Sequence, residues 1–542
     1  MIIISCQKPE YVIPNDETSL MEIFCTIEEK GRDRIFESII RNDTVYLNID
    51  YYYPIDSDNE VDLSRMLVRA TIPVDSRIEP SLDGFTDLSK PFKFSVIAGN
   101  GDAKEYVIVA NKKGNVDVFA AKLQYQDYLG VNQELDAIIV DNKINFSLVP
   151  GTIVNNPKLV YTLNRHASGS ITNGASLNLN TPLPFTVNSA GGAKRDYSIQ
   201  TVEAKKLPRG LRPGSAKILF AKKLKNDLGI MVDHLTGGIA ASSDKLIINT
   251  RDQNSLQISG LTGEKLGSIE LGDVRGGLRN FYTTSDKAGN ILINNLVPNE
   301  GSVFNIWKIK SDGSGPELFI SWNAGGSNFG RKVSVIGDIS KDAIISAPMY
   351  GFASSNTFAR WQVINGVVKS QTPEIVTAIG FSWSWNNADI IYTDPKNVNG
   401  EYFAIGYDGN KLTKLNGQTN SVITQLNALD GGNVCNAVDF VEFNNSKYVA
   451  FTHLNSFAWA GFDQVFMMEA SGNLVGDVTT SSNLIWSSPK NVYGPIAIGG
   501  PANTNATADV LMIPSANGYF LYLYFMFTNG YVVGVQFDCV DL

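Results

Sequence analysis

The chain of 542 residues is poor in metal-binding side chains, with three histidines (His166, His234, His453) and four cysteines (Cys6, Cys25, Cys435, Cys539). No two cysteines form a Cys-x-x-Cys pair, which excludes zinc-ribbon and thioredoxin-type chemistry. Cys435 and Cys539 share the C-terminal half, where they either pair across neighbouring strands or stay as buried thiols. Positive charge is scarce: 45 Lys and Arg against 54 Asp and Glu leave a formal net charge of -9. That balance lacks the basic footprint of a nucleic-acid binder. Long apolar runs are missing too. The longest, Tyr519 to Phe527, falls far short of the roughly 20 residues that cross a bilayer as a helix. It is aromatic-rich and reads as a buried strand. Also absent are a Gly-x-Ser-x-Gly elbow, a Walker loop, a His-Glu-x-x-His helix and repeated Ser-x-Asp-x-Gly-x-Thr-Trp boxes.

What is present favours β structure. Hydrophobic residues make up 43% and charged residues 18%, enough for real cores and too little charge for a disordered polymer. The length suits about three domains. Aromatics, glycine and asparagine are plentiful, as strands and tight turns require.

Two internal repeats organise the chain. In the N-terminal half, Pro91-Phe92-Lys93-Phe94-Ser95-Val96, then Gly101, then Tyr106-Val107-Ile108, recurs as Pro182-Leu183-Pro184-Phe185-Thr186-Val187, Gly192 and Tyr197-Ser198-Ile199. The offset is 91 residues without a gap. Phe94 and Val96 alternate with polar neighbours, the period of a half-buried strand. Thr44 to Ile49 and Lys143 to Leu148 supply matching earlier strands. Each unit of about 90 residues fits a small β-sandwich, immunoglobulin-like only in the loose sense because the Cys and Trp of antibody domains are absent. A basic stretch, Lys205 to Gly214, follows and reads as a solvated linker.

From Met231 onward six hairpin turns recur about every 50 residues. They are Thr262-Gly263, Asp312-Gly313, Asn365-Gly366, Asp408-Gly409, Ser471-Gly472 and Asn529-Gly530. Asp-Gly and Asn-Gly favour type I′ turns, which need positive φ at both central positions. Glycine pairs or glycine–aromatic clusters mark most units: Gly237-Gly238, Gly276-Gly277, Gly325-Gly326, Gly380-Phe381, Gly431-Gly432 and Tyr493-Gly494. They would let innermost strands crowd a central channel. The fold expected is all-β: two immunoglobulin-like sandwiches followed by a six-bladed β-propeller. The expected boundaries are 1–18 for an N-terminal tether, 19–112 and 113–206 for the sandwiches, 207–230 for a linker and leading strand, and 231–542 for the propeller.

Ile3-Ile4-Ser5-Cys6 resembles a bacterial lipobox, with Gln7 to Glu10 as a polar tether, although the apolar stretch before it is only a few residues long. Together with the paired Phe-x-Val…Gly…Tyr units, His234 to Ala240, Leu261 to Gly267 and Ala288 to Leu292, it resembles exported Bacteroidetes lipoproteins. Those carry tandem immunoglobulin- or cadherin-like modules ahead of a C-terminal propeller. The resemblance covers nearly the whole chain and rests on architectural motifs. It implies acylation of Cys6 and a place in the outer membrane or at the cell surface, with the periplasm as second choice.

No catalytic set stands out. Asp252, Asp394, Asp439 and Asp463 fall near predicted loops and strand ends, but spacing alone brings no two of them together as glycosidase chemistry requires. The propeller mouth is the candidate binding face: Arg251, Asp252, Tyr350, Phe352, Trp383, Trp385, Asn386, His453, Phe457, Trp459 and Tyr493 offer rings, amides and charges suited to sugar faces or a peptide. Alternation puts Trp383 and Trp385 on one side of an extended segment. Asp56, Asp58, Asn59, Glu60 and Asp62 form an oxygen-rich loop, which reads as a solvated turn or, less favoured, a calcium site. The expected protein is a monomeric, non-catalytic envelope lipoprotein without a cofactor. It would bind carbohydrate or another envelope protein. A propeller glycoside hydrolase or lyase and a structural adhesion protein are the alternatives.

Overall fold

The computed structural model describes residues 13–27, 34–242, 244–310, 314–350, 355–384, 387–407, 411–427, 435–454, 462–505 and 507–541, without the side chains of Tyr350 and Cys435. Regular structure is almost all β, spread over several sheets, with only short 3-10 turns beside the strands among the described residues. The chain divides into two compact units, Met1–Ala204 and Lys205–Leu542.

The first unit holds two hydrophobic clusters that share no residue. One runs from Leu20 to Ile108 and contains Phe94, Val96 and Tyr106. The other runs from Val118 to Ile199 and contains Phe185, Val187 and Tyr197. The sequence repeat is therefore a repeat of core positions, because alternation buries one face of Phe92–Ile97 and of Leu183–Ser189. Each strand turns back antiparallel on a long partner, Ala103–Lys113 or Ala193–Glu203. The other edge of that partner pairs in parallel with the upstream strand, Thr44–Asp50 in the first copy and Lys143–Leu148 in the second. The two tyrosines also act alike. Tyr106 Oη donates to Thr18 O at 3.1 Å and accepts from Leu20 N–H at 3.2 Å. Tyr197 Oη donates to Val116 O at 3.0 Å and accepts from Val118 N–H at 3.3 Å.

In the second unit, six mainly antiparallel sheets follow one another. Their first strands are Thr236–Ser242, Tyr282–Ser285, Ser334–Gly337, Ala388–Tyr392, Cys435–Phe443 and Ala508–Pro514. Each contacts the next, and the sixth contacts the first, so the six close a ring. Apolar side chains pack between neighbouring sheets. Ile247 and Ile293 share a cluster between sheets one and two. Phe304 meets Trp361, Phe358 meets Tyr402, Phe403 meets Phe440, and Trp486 meets Phe525. Leu246 and Tyr524 share the cluster between sheets one and six. Crowding of the first strands explains one glycine pair: a Cβ on Gly237 would stand 2.4 Å from Phe281 O, and one on Gly238 (φ +90°) 2.2 Å from Thr283 O.

Both ends of the second unit build its sixth sheet, whose order is Lys217–Lys223, Tyr531–Asp538, Phe520–Phe527, Ala508–Pro514. The apolar run Tyr519 to Phe527 thus supplies a central, largely buried strand. The basic stretch Lys205 to Gly214 corrects the linker expectation, because it straps onto the second unit. Lys205–Lys206 pairs with Val540–Asp541, Arg212 makes two bonds to Asp538 at 2.8 and 2.6 Å, and Arg209 Nε donates to Ser446 Oγ at 2.9 Å. Its cations have partners more than two hundred residues away, which local composition does not reveal. The hairpin turns are not equivalent either. Thr262-Gly263, Asn365-Gly366 and Ser471-Gly472 follow the third strand of their sheets, whereas Asn529-Gly530 follows the second. Asp312-Gly313, Asp408-Gly409 and Gly431-Gly432 lie outside the described residues.

Candidate functional site

Three first strands carry an aspartate in the same setting: Ala388-Asp389-Ile390, Val438-Asp439-Phe440 and Ala508-Asp509-Val510. Each carboxylate accepts from a backbone N–H of the next strand round the ring. Asp389 bonds Val438 at 3.0 Å, Asp439 bonds Met512 at 2.6 Å and Asp509 bonds Ile239 at 2.7 Å. Two lysines brace the same strands. Lys332 Nζ meets Asp509 Oδ1 at 2.8 Å and Ala508 O at 2.7 Å. Lys287 Nζ meets Asp439 Oδ2 at 2.9 Å and Met512 O at 3.0 Å. The Lys332 and Asp509 side chains are each 4% exposed, a buried pair whose remaining polar atoms are hydrogen-bonded. Tyr282 Oη also donates to Asp509 Oδ1, at 3.0 Å. Asp389 hydrogen-bonds Ser334 Oγ. Burial pushes its carboxyl up to about 6, against the pull of Lys332 and of its hydrogen bonds. Sequence reading misses Asp389, Asp509, Lys287 and Lys332 and takes Asp439 for a strand-end acid. The recurring small or β-branched residue before each aspartate was the available signal. These carboxylates each hold neighbouring first strands together.

Arg251 directly follows the second strand of the first sheet, Lys245–Thr250. Its guanidinium carbon lies 4.3 Å from the centre of the Phe281 ring, and Nη2 donates to His234 O at 3.2 Å. Its Nε is buried and has no hydrogen-bond partner among the described residues. The neighbouring ring, Tyr282, carries Lys332 Nζ at 4.7 Å. Burial, and then the positive charge of Arg331, hold the Arg251 guanidinium down at about 10. Asp252 is exposed, adopts a left-handed φ of 59°, and donates its backbone N–H to Asn280 Oδ1 at 3.1 Å. His234 ties this corner to the sixth sheet: its backbone N–H donates to Asn529 Oδ1 at 2.8 Å, and its Nδ1 accepts from Asn529 Nδ2 at 3.1 Å.

The other described candidates require correction, for their rings fill the core. Trp383 is 1% exposed, donates Nε1–H to Met349 O at 2.9 Å and packs on Phe381. His453 is fully buried, donates Nδ1–H to Phe462 O at 2.8 Å and stacks on the Phe462 ring. Tyr493 is buried with its edge against Phe525 and Tyr531. Trp383 lies outside the named strands, in an isolated bridge to Ser355, so strand alternation does not set the direction of its ring. Tyr350 ends the strand Ala343–Tyr350. Cys6, Phe352, Trp385, Asn386, Phe457 and Trp459 lie outside the described residues.

In the acidic loop of the first unit the four carboxylates each have a partner within the protein, which argues against the calcium alternative. Asp56 accepts from Asn164 Nδ2 at 2.7 Å, and Asp58 pairs with Arg165 at 2.9 Å and His166 at 3.2 Å. Glu60 pairs with Lys112, and Asp62 caps the turn at Leu63–Arg65 through Ser64 N–H at 2.9 Å. Asn59 donates its backbone N–H to Ser57 Oγ at 3.2 Å. No three His, Cys, Asp or Glu side chains converge on a metal-sized site among the described residues. Cys25 and Cys539 are buried free thiols, and burial pushes Cys25 up to about 12. Cys539 therefore has no disulfide partner in Cys435. Among the described residues no helix is long and apolar enough to cross a membrane.

Comparison with known proteins identifies family models over both units. The model of a domain of unknown function, DUF5018, matches residues 1–110. No curated protein matches the chain. Among solved structures, the chain is similar to a DUF4623 family protein from Bacteroides eggerthii DSM 20697. The identity is 13% and the TM-score 0.47, over 78% of this chain and 98% of that one. The model of a second domain of unknown function, DUF8500, matches residues 219–538, more than half of the sequence, and the chain belongs to that family.

Proposed function

We propose that this protein is a non-catalytic binding module of the bacterial cell envelope that takes carbohydrate on one face of its second unit. In this reading the six sheets are the blades of a β-propeller, and the two clusters of the first unit are immunoglobulin-like sandwiches that carry it. The head-to-tail contact of the six first strands supports the propeller, as does the joining of both ends of the unit in one sheet. The binding face is the end of the ring where the chain runs into the first strands, beside Arg251 and Asp252. Cys6 is proposed as the lipid anchor, and the protein is proposed to act as a monomer on the membrane or cell surface.

One observation carries the non-catalytic reading. Asp389, Asp439 and Asp509 are each bonded to the backbone of the next strand, which leaves them fixed as braces. The face beside them offers a half-buried guanidinium and an exposed carboxylate. Such a surface can hold a sugar by hydrogen bonds. The test is a glycan array probed with the full chain, alongside a reducing-end assay on the polysaccharides that bind. Retention of a defined glycan class without cleavage is expected. Release of new reducing ends would overturn the reading in favour of a hydrolase. Capture of envelope proteins with no glycan retained would favour the scaffold alternative.

A further inference from the structure

The first unit carries a polar cleft of its own, and we infer that it is a second binding site, one that takes a neutral oligosaccharide. The cleft lies on a three-stranded sheet in which Asn132–Asp136 and Asn155–Leu163 flank Val118–Gln126. Alternation assigns the two faces of that sheet. Ala121, Leu123 and Leu159 belong to the core, so Gln124, Gln126 and Lys158 point away from it. Register lines the outward residues up. Glu134 stands opposite Gln124, Gln124 opposite Lys158 and Lys158 opposite Ser176, while Asn132 stands opposite Gln126. With neighbouring strands about 4.8 Å apart, the longer row runs roughly 14 Å across the sheet, more than the length of a single sugar ring. A β-bulge between Asn155 and Lys158 adds a residue to the third strand. There Asn156, at a φ of 50°, donates Nδ2–H to Gln126 Oε1 at 3.1 Å. These side chains line a cavity of about 500 Å³, a size that suits a small-molecule ligand.

The chemistry of the cleft selects its ligand. Gln124 Nε2 donates to Glu134 Oε1 at 2.7 Å, and Lys122 Nζ lies 3.3 Å from Glu134 Oε2, so that carboxylate is satisfied within the protein. What stays open is mostly amide. Among the described residues Gln124 Oε1, Gln126 Nε2, Asn156 Oδ1 and both ends of the Asn132 side chain have no partner, and neither do Lys158 Nζ and Ser176 Oγ. Asn132, Asn156, Lys158 and Ser176 are exposed, and the open amide atoms of Gln124 and Gln126 are not closed to solvent. A ligand can therefore reach all of them. An amide offers a donor beside an acceptor, which matches a hydroxyl that both gives and takes a hydrogen bond. The wall holds one acid and one base, so it lacks the single-sign potential that would draw a charged ligand. Tyr125, the one ring in the wall among the described residues, packs against the core, which leaves little for an apolar ligand to cover. A peptide strand would pair along a sheet edge and leave these outward side chains unused.

The experiment is calorimetric titration of the full chain with cellohexaose, mannohexaose, maltohexaose and laminarihexaose, with hexagalacturonate as the charged control. At least one neutral hexasaccharide is expected to bind, with an affinity that added salt leaves unchanged. Gln126→Ala/Lys158→Ala should weaken that binding at least about tenfold, for the loss of two ligand hydrogen bonds. Asp252→Ala, on the second unit, should leave it intact. Where both units take the same sugar, the wild type should show two sites and each variant should remove a different one. Binding that Asp252→Ala abolishes and the double variant leaves unchanged overturns the inference and leaves the face of the second unit standing. Binding that neither variant weakens overturns the inference too, as does hexagalacturonate held through Gln126 and Lys158 more tightly than any neutral sugar. No binding of any neutral hexasaccharide at millimolar concentration overturns it as well, while the glycan array still decides the second unit. Should the double variant lower the melting temperature, Asn132→Ala removes an exposed side chain that has no partner among the described residues. Binding unchanged in that variant would then overturn the inference.

Discussion

Asp389 occupies the same point of its strand as Asp439 and Asp509, yet no cation lies within ion-pair distance of it among the described residues. Its folded-state carboxyl titrates near 6 instead of 3.8, chiefly because it is buried. The sign of the linkage follows directly. Between those two values the folded state keeps a proton that the unfolded chain has released, so stability falls as pH rises through the window. Above it the ionised buried group remains a constant cost of about 3 kcal/mol, from 1.4 kcal/mol per unit. Asp389→Asn keeps an acceptor for Val438 N–H and removes the titration. Urea unfolding should show the variant gaining on the wild type by up to about 3 kcal/mol between pH 4 and 7. A difference independent of pH would mean that Asp389 is ionised throughout. For the paired neighbour the expectation is reversed. Lys332→Met strands the buried Asp509 carboxylate and should cost about 3–5 kcal/mol. Adding Asp509→Asn removes the stranded charge while leaving an acceptor for Ile239 N–H, and should recover part of that loss. A double variant no more stable than Lys332→Met would mean that the charge is not what costs.

At the scale of elements, Tyr106 and Tyr197 each fasten the segment that leads into their own cluster, through two backbone groups. Tyr106→Phe leaves Leu20 N–H without its acceptor and should cost about 1–2 kcal/mol. Hydrogen exchange should quicken at Leu20 and not at Val118, with the mirror result for Tyr197→Phe. A change at both amides in either variant would show the clips to be coupled. The tyrosines were legible as a pair because the whole motif recurs at one offset. Their role was not, because their partners are backbone groups, and these leave no mark in composition. The same limit explains the turns. An Asn-Gly pair signals that a hairpin occurs but not which hairpin, so Asn529-Gly530 falls one strand earlier in its sheet than Asn365-Gly366. Trp383 shows a second limit: it lies in a connecting segment bridged to Ser355, where the period-two rule of a strand has no direction to give. The bracing aspartates show a third, since one polar residue per strand becomes a pattern only when the strands are laid side by side.

For the second unit as a whole, the arrangement that matters is how its ring closes. Sheets one to three are each built from a continuous run of chain, and the fourth gains only the short Gly476–Asp477 from within the run of the fifth, but the sixth borrows its outer strand, Lys217–Lys223, from the start of the unit. That seam is held by an antiparallel pairing with Tyr531–Asp538, by the two bonds from Arg212 to Asp538, and by Phe220, which packs against Gly534 and Tyr524. Gly534 leaves the Phe220 ring its space, since a Cβ there would stand 2.5 Å from the ring. Phe220→Ala empties this packing and should cost about 3–5 kcal/mol, as other large-to-small core changes do. The location of the loss tests the closure. A ring that opens at its weakest joint loses protection first in Tyr531–Asp538, while Ser334–Gly337, three sheets away on either side, stays protected in mild denaturant. Hydrogen exchange on Phe220→Ala reads this directly. A uniform rise across all six sheets would mean that the unit unfolds as one cooperative block and that the seam is no weaker than the other sheet interfaces. A rise confined to Lys217–Lys223 and its partner strand would mark the seam as the place where the ring first gives way.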